Sequence, residues 1–198
     1  MEIYFATTNS GKVQSMQRDL GKYNISVIQE QIDLIEPRSS DVKEIAQSKI
    51  NQAYSIIQKP TIVIDAGFYI DELNGFPRAF VNFTLETIGL EGILNLTKDK
   101  LRGCEFRECL AYMDSTLKEP QYFTGHVRGR IADNERGIMQ PHLWSKLGLI
   151  FIPDGSSKTL AEMTHDEHSE WRKILREKNS LGKQLYDWIS TQDTKQRQ

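Results

Sequence analysis

This sequence predicts a mixed α/β fold: a twisted sheet flanked by helices, with a β-rich second lobe forming one wall of a cleft. Three observations carry that expectation. Short apolar runs of strand length, EIYFATT and TIVID, alternate with stretches whose apolar residues recur at helical spacing. Two longer alternating runs, CEFRECLAYMD and PQYFTGHVRGRI, follow one another and read as an antiparallel pair. The chain has 198 residues, of which 38% are hydrophobic and 26% charged, enough for one well-cored domain or two small lobes sharing a core. Residues 1–190 are therefore expected to form a single domain of two lobes around one cleft, followed by a polar, frayed tail at 191–198.

In chain order, EIYFATT is the first strand, and NSG breaks it before a helix that starts near Lys12 and runs to about Gly21. NISVIQEQ is a second strand, and IDLIEPRSS is a loop bearing Glu36. A second helix opens at Asp41, with Glu44 at capping-box spacing, and turns Ile45, Ile50, Ala53 and Ile57 toward a core before stopping ahead of Pro60. TIVID is a buried strand whose end closes on a tight turn at Ala66-Gly67 and restarts at Phe68. Val81 to about Leu96 is helical and the two alternating strands follow. Leu147 to Ile152 is a further strand, and Thr164 with Glu167 caps a helical region reaching Ile189. No internal repeat is visible.

The formal charge is −2, with both signs mixed along the chain, so there is no basic stripe to neutralise a nucleic-acid backbone. No apolar run approaches the ~20 residues that span a bilayer, and MEIYFATTN has neither a basic start nor a cleavage pattern, so the chain is placed in the cytoplasm. Cys104 and Cys109, roughly 16 Å apart in an extended strand, are too distant for a disulfide and read as ordinary strand residues of a reducing compartment.

Chemistry is concentrated at strand ends. A strand that turns through Thr7, Thr8, Asn9, Ser10 and Gly11 into a helix presents free backbone amides and the positive end of the helix dipole, and Lys12 adds a full charge. That combination suits phosphate, and it equally suits a helix merely capped by Asn9 or Ser10. It is not a nucleotide-binding P-loop, because Ala6 and Val13 stand where that motif needs Gly and Ser or Thr. Glu36 and Asp65 each follow an apolar segment. If their strands are neighbours, both face the loop edge that carries Lys12, and two carboxylates completed by phosphate oxygens are a usual way to hold Mg²⁺. Lys49 shares a helix face with Ile45 and Ala53 and either reaches the same cleft or snorkels to water. His165 and His168 lie at a helix start with no third ligand at a recognised spacing, so they are not read as a zinc site.

These segments, in this order, resemble the noncanonical purine nucleoside triphosphate pyrophosphatases, the inosine triphosphatase family. The resemblance rests on Thr7-x-Asn9-x-x-Lys12, IDLIE ending at Glu36, KEIAQSKINQA, VIDAGFYIDELNGFP, GHVRGRI and FIPDGSSKTLAEM, and it covers most of the chain. It implies a homodimer that cleaves nucleoside triphosphates to monophosphate and pyrophosphate with Mg²⁺. Thr7 to Lys12, with Lys49 and Ala66, would line the phosphate end. Glu36 and Asp65 would hold the metal, and Asp65 would orient or deprotonate the attacking water.

Several positions depart from the family pattern. Ile64-Asp65-Ala66 replaces two aspartates followed by Ser or Thr, and Ser15 replaces a glutamate. The base-recognition segment falls on Ser145 to Leu149 and lacks its aromatic and carboxylate, leaving Trp144 as the nearby stacking candidate. A lysine and a Ser-His-Arg triplet fall on His168 and on Arg172, Lys173 and Ile174, so Arg172, Lys173 and Arg176 are the candidates to supply the missing positive charge. The phosphate and metal end is retained while the base end is not, which predicts weak purine discrimination. The same losses also fit a catalytically weakened nucleotide-binding or regulatory module derived from the family.

Overall fold

The computed structural model of the protein describes residues 1–143 and 145–196. Its chain forms two compact units, one of residues 1–65, 108–125 and 175–198 and the other of residues 66–107 and 126–174. Seven strands form one sheet: β1 (Glu2–Ala6), β2 (Ser26–Glu30), β3 (Thr61–Ile70), β4 (Pro77–Arg78), β5 (Gly103–Met113), β6 (Gln121–Ile131) and β7 (Phe151–Pro153). The order is β2-β1-β3-β5-β6-β7, with β4 paired to β3. β1 runs parallel to β2 and to β3, whereas β4 is antiparallel to β3 and β7 to β6. The sheet is thus mixed, as the pattern of strands and helices predicts.

In the first unit, helix α1 (Ser10–Leu20) starts where the Asn9 side chain accepts a hydrogen bond from the Lys12 amide, an N-cap that satisfies one of the free first-turn donors. Met16 and Leu20 of α1 pack with Ile3, Phe5, Ile62, Ile64, Leu110 and Tyr112 in one apolar cluster. Helix α2 (Val42–Ile57) buries Val42, Ile45, Ala46, Ile50 and Ala53, the helical spacing read from the sequence. Its start differs from the expected capping box. Asp41 caps the Lys43 amide, but Glu44 accepts from the Ser39 hydroxyl, which itself receives the Asp41 amide.

In the second unit, Phe106 packs between Phe68 and Phe151, each ring centre 4.8 Å away. Around them close Ile70, Ile93, Ile131, Leu147, Ile150 and Leu160. The helical region after β4 is two helices, α3 (Val81–Thr87) and α4 (Gly89–Leu96), because Gly89 adopts a positive φ of 65° that a continuous helix does not allow.

Four other expectations are corrected. β3 runs unbroken from Thr61 to Ile70, so Ala66-Gly67 is not a turn. Gly67 is required there by close approach, since a Cβ on it would sit 2.7 Å from the Arg78 carbonyl oxygen of β4. The strand expected over Leu147 to Ile152 is a 3₁₀ turn, Lys146–Leu149, followed by the short β7. The C-terminal helical region is α5 (His165–Asn179) and α6 (Leu181–Gln196), parted at Ser180, whose hydroxyl accepts the Lys183 amide as a new N-cap. The Thr164–Glu167 capping box at the start of α5 does form in both directions, at 2.8 and 3.2 Å. Helix α6 continues through Gln196, so positions 191–196 of the expected tail are helical, and 197–198 lie outside the described residues.

Candidate active site

Asp65 is the centre of the polar constellation that the sequence places at strand ends. It lies in the middle of β3 and is only 9% exposed, flanked in the chain by buried Ile64 and half-buried Ala66, so it is a buried carboxylate and not one at an open strand end. A carboxylate in that position needs a partner. Lys49, on the inward face of α2, supplies it: its Nζ is 3.4 Å from Asp65 Oδ1 and 2.8 Å from Glu36 Oε1. Lys49 therefore does not snorkel. It stands between the two carboxylates that the sequence nominated for the metal, one buried in β3 and one exposed on the 31–41 loop.

Lys12 approaches from the first turn of α1. Its Nζ donates to the Ile64 carbonyl at 3.1 Å, at the peptide joining Ile64 to Asp65. Behind it, Asn9 is held by its own amide on the Thr7 hydroxyl at 3.1 Å, and the Thr7 backbone is clamped to β2 through Glu30 and Gln29. The loop from Thr7 to Gly11 is thus preorganised, with the Ser10 and Gly11 amides at the helix N-terminus, where neither has an intrahelical acceptor. Thr8, Asn9, Ser10 and Gly11 are exposed.

Electrostatics follow from burial. Desolvation pushes the Asp65 carboxyl above the usual aspartate range, opposed by Lys49 and Lys12 and reinforced by Glu36. Burial likewise pushes the Lys12 ammonium below the usual lysine range. The charge that most opposes this second shift is Glu108 of β5, ahead of Asp65. Sequence reasoning missed Glu108. No local signal marks it, since Glu105 stands three residues earlier in the same strand as an equally plain carboxylate.

The remaining candidates occupy other surroundings. Arg176 lies 3.9 Å from the buried Asp19 carboxylate, beside Ser180, Lys22 and Lys183 in a hollow of about 220 Å³. Lys173 forms an exposed ion pair with Glu170 at 3.5 Å. His168 packs against His142 and Trp171, and burial pushes its imidazole down to about 4, so it does not carry the charge of the lysine it was matched to. Arg172, which follows Trp171 in α5, adds to that depression. Leu147 and Gly148, at the base-recognition positions, are buried in the core of the second unit. Trp144 lies outside the described residues. Cys104 and Cys109 are both free and buried. No helix among the described residues is long and apolar enough to cross a membrane.

Known proteins resemble this chain in sequence and in fold. A dITP/XTP pyrophosphatase of Methanopyrus kandleri is 36% identical over 170 residues, covering 84% of this chain and 87% of its own. One from Pyrococcus horikoshii is 31% identical over 194 residues, covering 96% and 97%. The fold is shared with the Ham1 protein of Staphylococcus aureus, at a TM-score of 0.77 and 23% identity over 97% of this chain and all of that one. A HAM1 protein of Coxiella burnetii gives 0.78 and 24%, covering 94% and 99%. The sequence pattern of the Ham1 family matches residues 3–176, and the chain belongs to that family.

Proposed function

We propose that this protein hydrolyses nucleoside triphosphates, those of the noncanonical purine type among them, to nucleoside monophosphate and pyrophosphate. The observation that carries the reading is the convergence of Lys12, Lys49 and Glu36 on the buried Asp65 and its own peptide. The named activity of the relatives from Methanopyrus and Pyrococcus supports it.

Two hard carboxylates around one ammonium are a donor set that suits Mg²⁺, and among the described residues no third such ligand joins them. Glu36 and Asp65 would hold the ion, leaving its other positions to phosphate oxygens and water. When bound it would neutralise charge on the phosphates. The Thr7–Gly11 loop and Lys12 grip and orient the phosphate chain. Asp65 takes a proton from the water that attacks the α-phosphorus as the bond to the bridging oxygen of pyrophosphate breaks. A homodimer in the cytoplasm fits the exposed Phe83 of α3, the exposed Phe80 and Ile88 at its two ends, and the two free thiols.

The test is product identification across a panel of triphosphates with Mg²⁺. Pyrophosphate release is expected, and orthophosphate alone, or binding without turnover, would overturn the reading. The rate should depend on pH through both shifted groups. As pH falls through the raised pKa of Asp65, the base is protonated and kcat/KM falls. As pH rises, Lys12 loses its charge earlier than an ordinary lysine does, which brings the alkaline limb inward. An acid limb that survives unchanged in the residual activity of Asp65→Asn would remove Asp65 from the role of base.

Base preference is expected to be weak. With Leu147 and Gly148 buried in the core, those positions offer no polar partner to a purine edge, and stacking alone tolerates any base. Inosine, xanthosine, adenosine and guanosine triphosphates should differ by less than about tenfold in kcat/KM, roughly 1.4 kcal/mol. A preference of about a hundredfold would mean that other residues read the base.

A further inference from the structure

Helix α2 meets the 31–41 loop through two side chains of one helix face. Lys49 reaches the Glu36 carboxylate, and Gln52, three residues further along, reaches the residue just before it. The Gln52 amide is bonded to both backbone groups of Ile35. Its Oε1 accepts the Ile35 N–H at 3.0 Å, and its Nε2 donates to the Ile35 carbonyl at 2.8 Å. Such a double bond to one residue is the pattern by which a strand residue pairs with its antiparallel neighbour, so it fixes the direction of the backbone as well as its place. The same Nε2 lies 3.2 Å from the Ser48 carbonyl and hydroxyl oxygens, which hold it against its own helix.

Burial does not hold this stretch of chain. Ile35 is 78% exposed, so its apolar side chain gains little from packing, and the Glu36 side chain is 61% exposed. An ion pair with one partner this open contributes little by itself. Further along the loop, the Ser39 hydroxyl donates to Glu44 of α2 at 2.7 Å, so the backbone on both sides of Glu36 is tied to the same helix. We propose that Gln52 is a positioning residue for Glu36: by clamping Ile35 it keeps the Glu36 carboxylate on Lys49, one ammonium away from Asp65.

This role rests on the function proposed above, in which Glu36 and Asp65 hold the metal. Gln52 bonds neither carboxylate and acts only through the Ile35 backbone. Without the clamp the loop spends part of its time elsewhere, and the apparent affinity for whatever Glu36 holds falls by the fraction of molecules in which the carboxylate is in place. Lys12 and Asp65 are untouched by that loss, because α1 and β3 set their positions. The signature of Gln52 is therefore a change in metal affinity with the chemical step preserved once metal saturates.

The test uses Gln52→Met, which keeps the length of the side chain and removes both bonds. Mn²⁺ is titrated into the full-length protein in the presence of a non-hydrolysable triphosphate analogue, with free Mn²⁺ read by electron paramagnetic resonance. The variant should bind Mn²⁺ about tenfold more weakly. In turnover, the Mg²⁺ concentration for half-maximal rate should rise by a similar factor while kcat at saturating Mg²⁺ changes by less than about threefold. Hydrogen exchange at the Ile35 amide should quicken by about tenfold in Gln52→Met and stay near the parent in Gln52→Glu, which keeps the acceptor. A residue that merely stabilised α2 would lower the melting temperature and leave the metal dependence where it was. Unchanged Mn²⁺ affinity in the folded Gln52→Met protein would thus overturn the positioning role alone. A parent that binds no Mn²⁺ with the analogue and releases no pyrophosphate would overturn the reading of the site itself, and the role of Gln52 with it.

Discussion

Asp65→Asn is expected to lower kcat by about a thousandfold, close to 4 kcal/mol in transition-state stabilisation, while leaving the fold in place. The side chain is nearly isosteric, so Lys49 keeps Glu36 and Lys12 keeps the Ile64 carbonyl. What disappears is the proposed base, and one of the two carboxylates that would hold the proposed metal. The effect on stability has the opposite sign from that of an ordinary ion pair. The folded pKa of Asp65 is raised, so its ionised form costs stability at pH values above that pKa. A neutral amide removes the cost, and the melting temperature at neutral pH is expected to hold or rise. Near-parental turnover in the variant, by a pyrophosphate-release assay, would sink the assignment.

Lys12→Ala is expected to weaken binding of a non-hydrolysable triphosphate analogue by about ten- to a hundredfold, against less than about threefold for the monophosphate. A hydrogen bond to a charged group is worth roughly 1.5–3 kcal/mol. The ammonium is poorly hydrated where it lies, so little water has to be displaced when phosphate arrives. Calorimetry with the two ligands separates the cases. Equal loss for both would place Lys12 away from the β- and γ-phosphates.

The first strand, the Asn9-capped helix after it and the buried face of α2 were all legible in the sequence, because each is set by local spacing and capping. Legibility ended where distant segments decide. Gly67 reads as a turn until β4 is known to pass over it, and the apolar spacing on either side of Ser180 continues as though one helix ran through. At the site, Lys12, Glu36, Lys49 and Asp65 were all nominated from sequence, yet the choice between a bridging and a snorkelling Lys49 depends on where the 31–41 loop folds back. Glu108 and His142 were invisible for the same reason. Each acquires its meaning from residues nearly a hundred positions away, or from a loop meeting a helix, and neither belongs to a local pattern.

Lys49 carries one further consequence. With its ammonium lodged between Glu36 and Asp65, the resting protein holds an internal counter-ion where a metal would otherwise compensate the two carboxylates. If Glu36 and Asp65 take up the proposed metal, its uptake would be an exchange of one cation for another, helped when a polyphosphate offers both oxygens for the ion and a new acceptor for the displaced lysine. Loading of the proposed metal and arrival of the nucleotide would in this way be thermodynamically linked, each raising the affinity for the other.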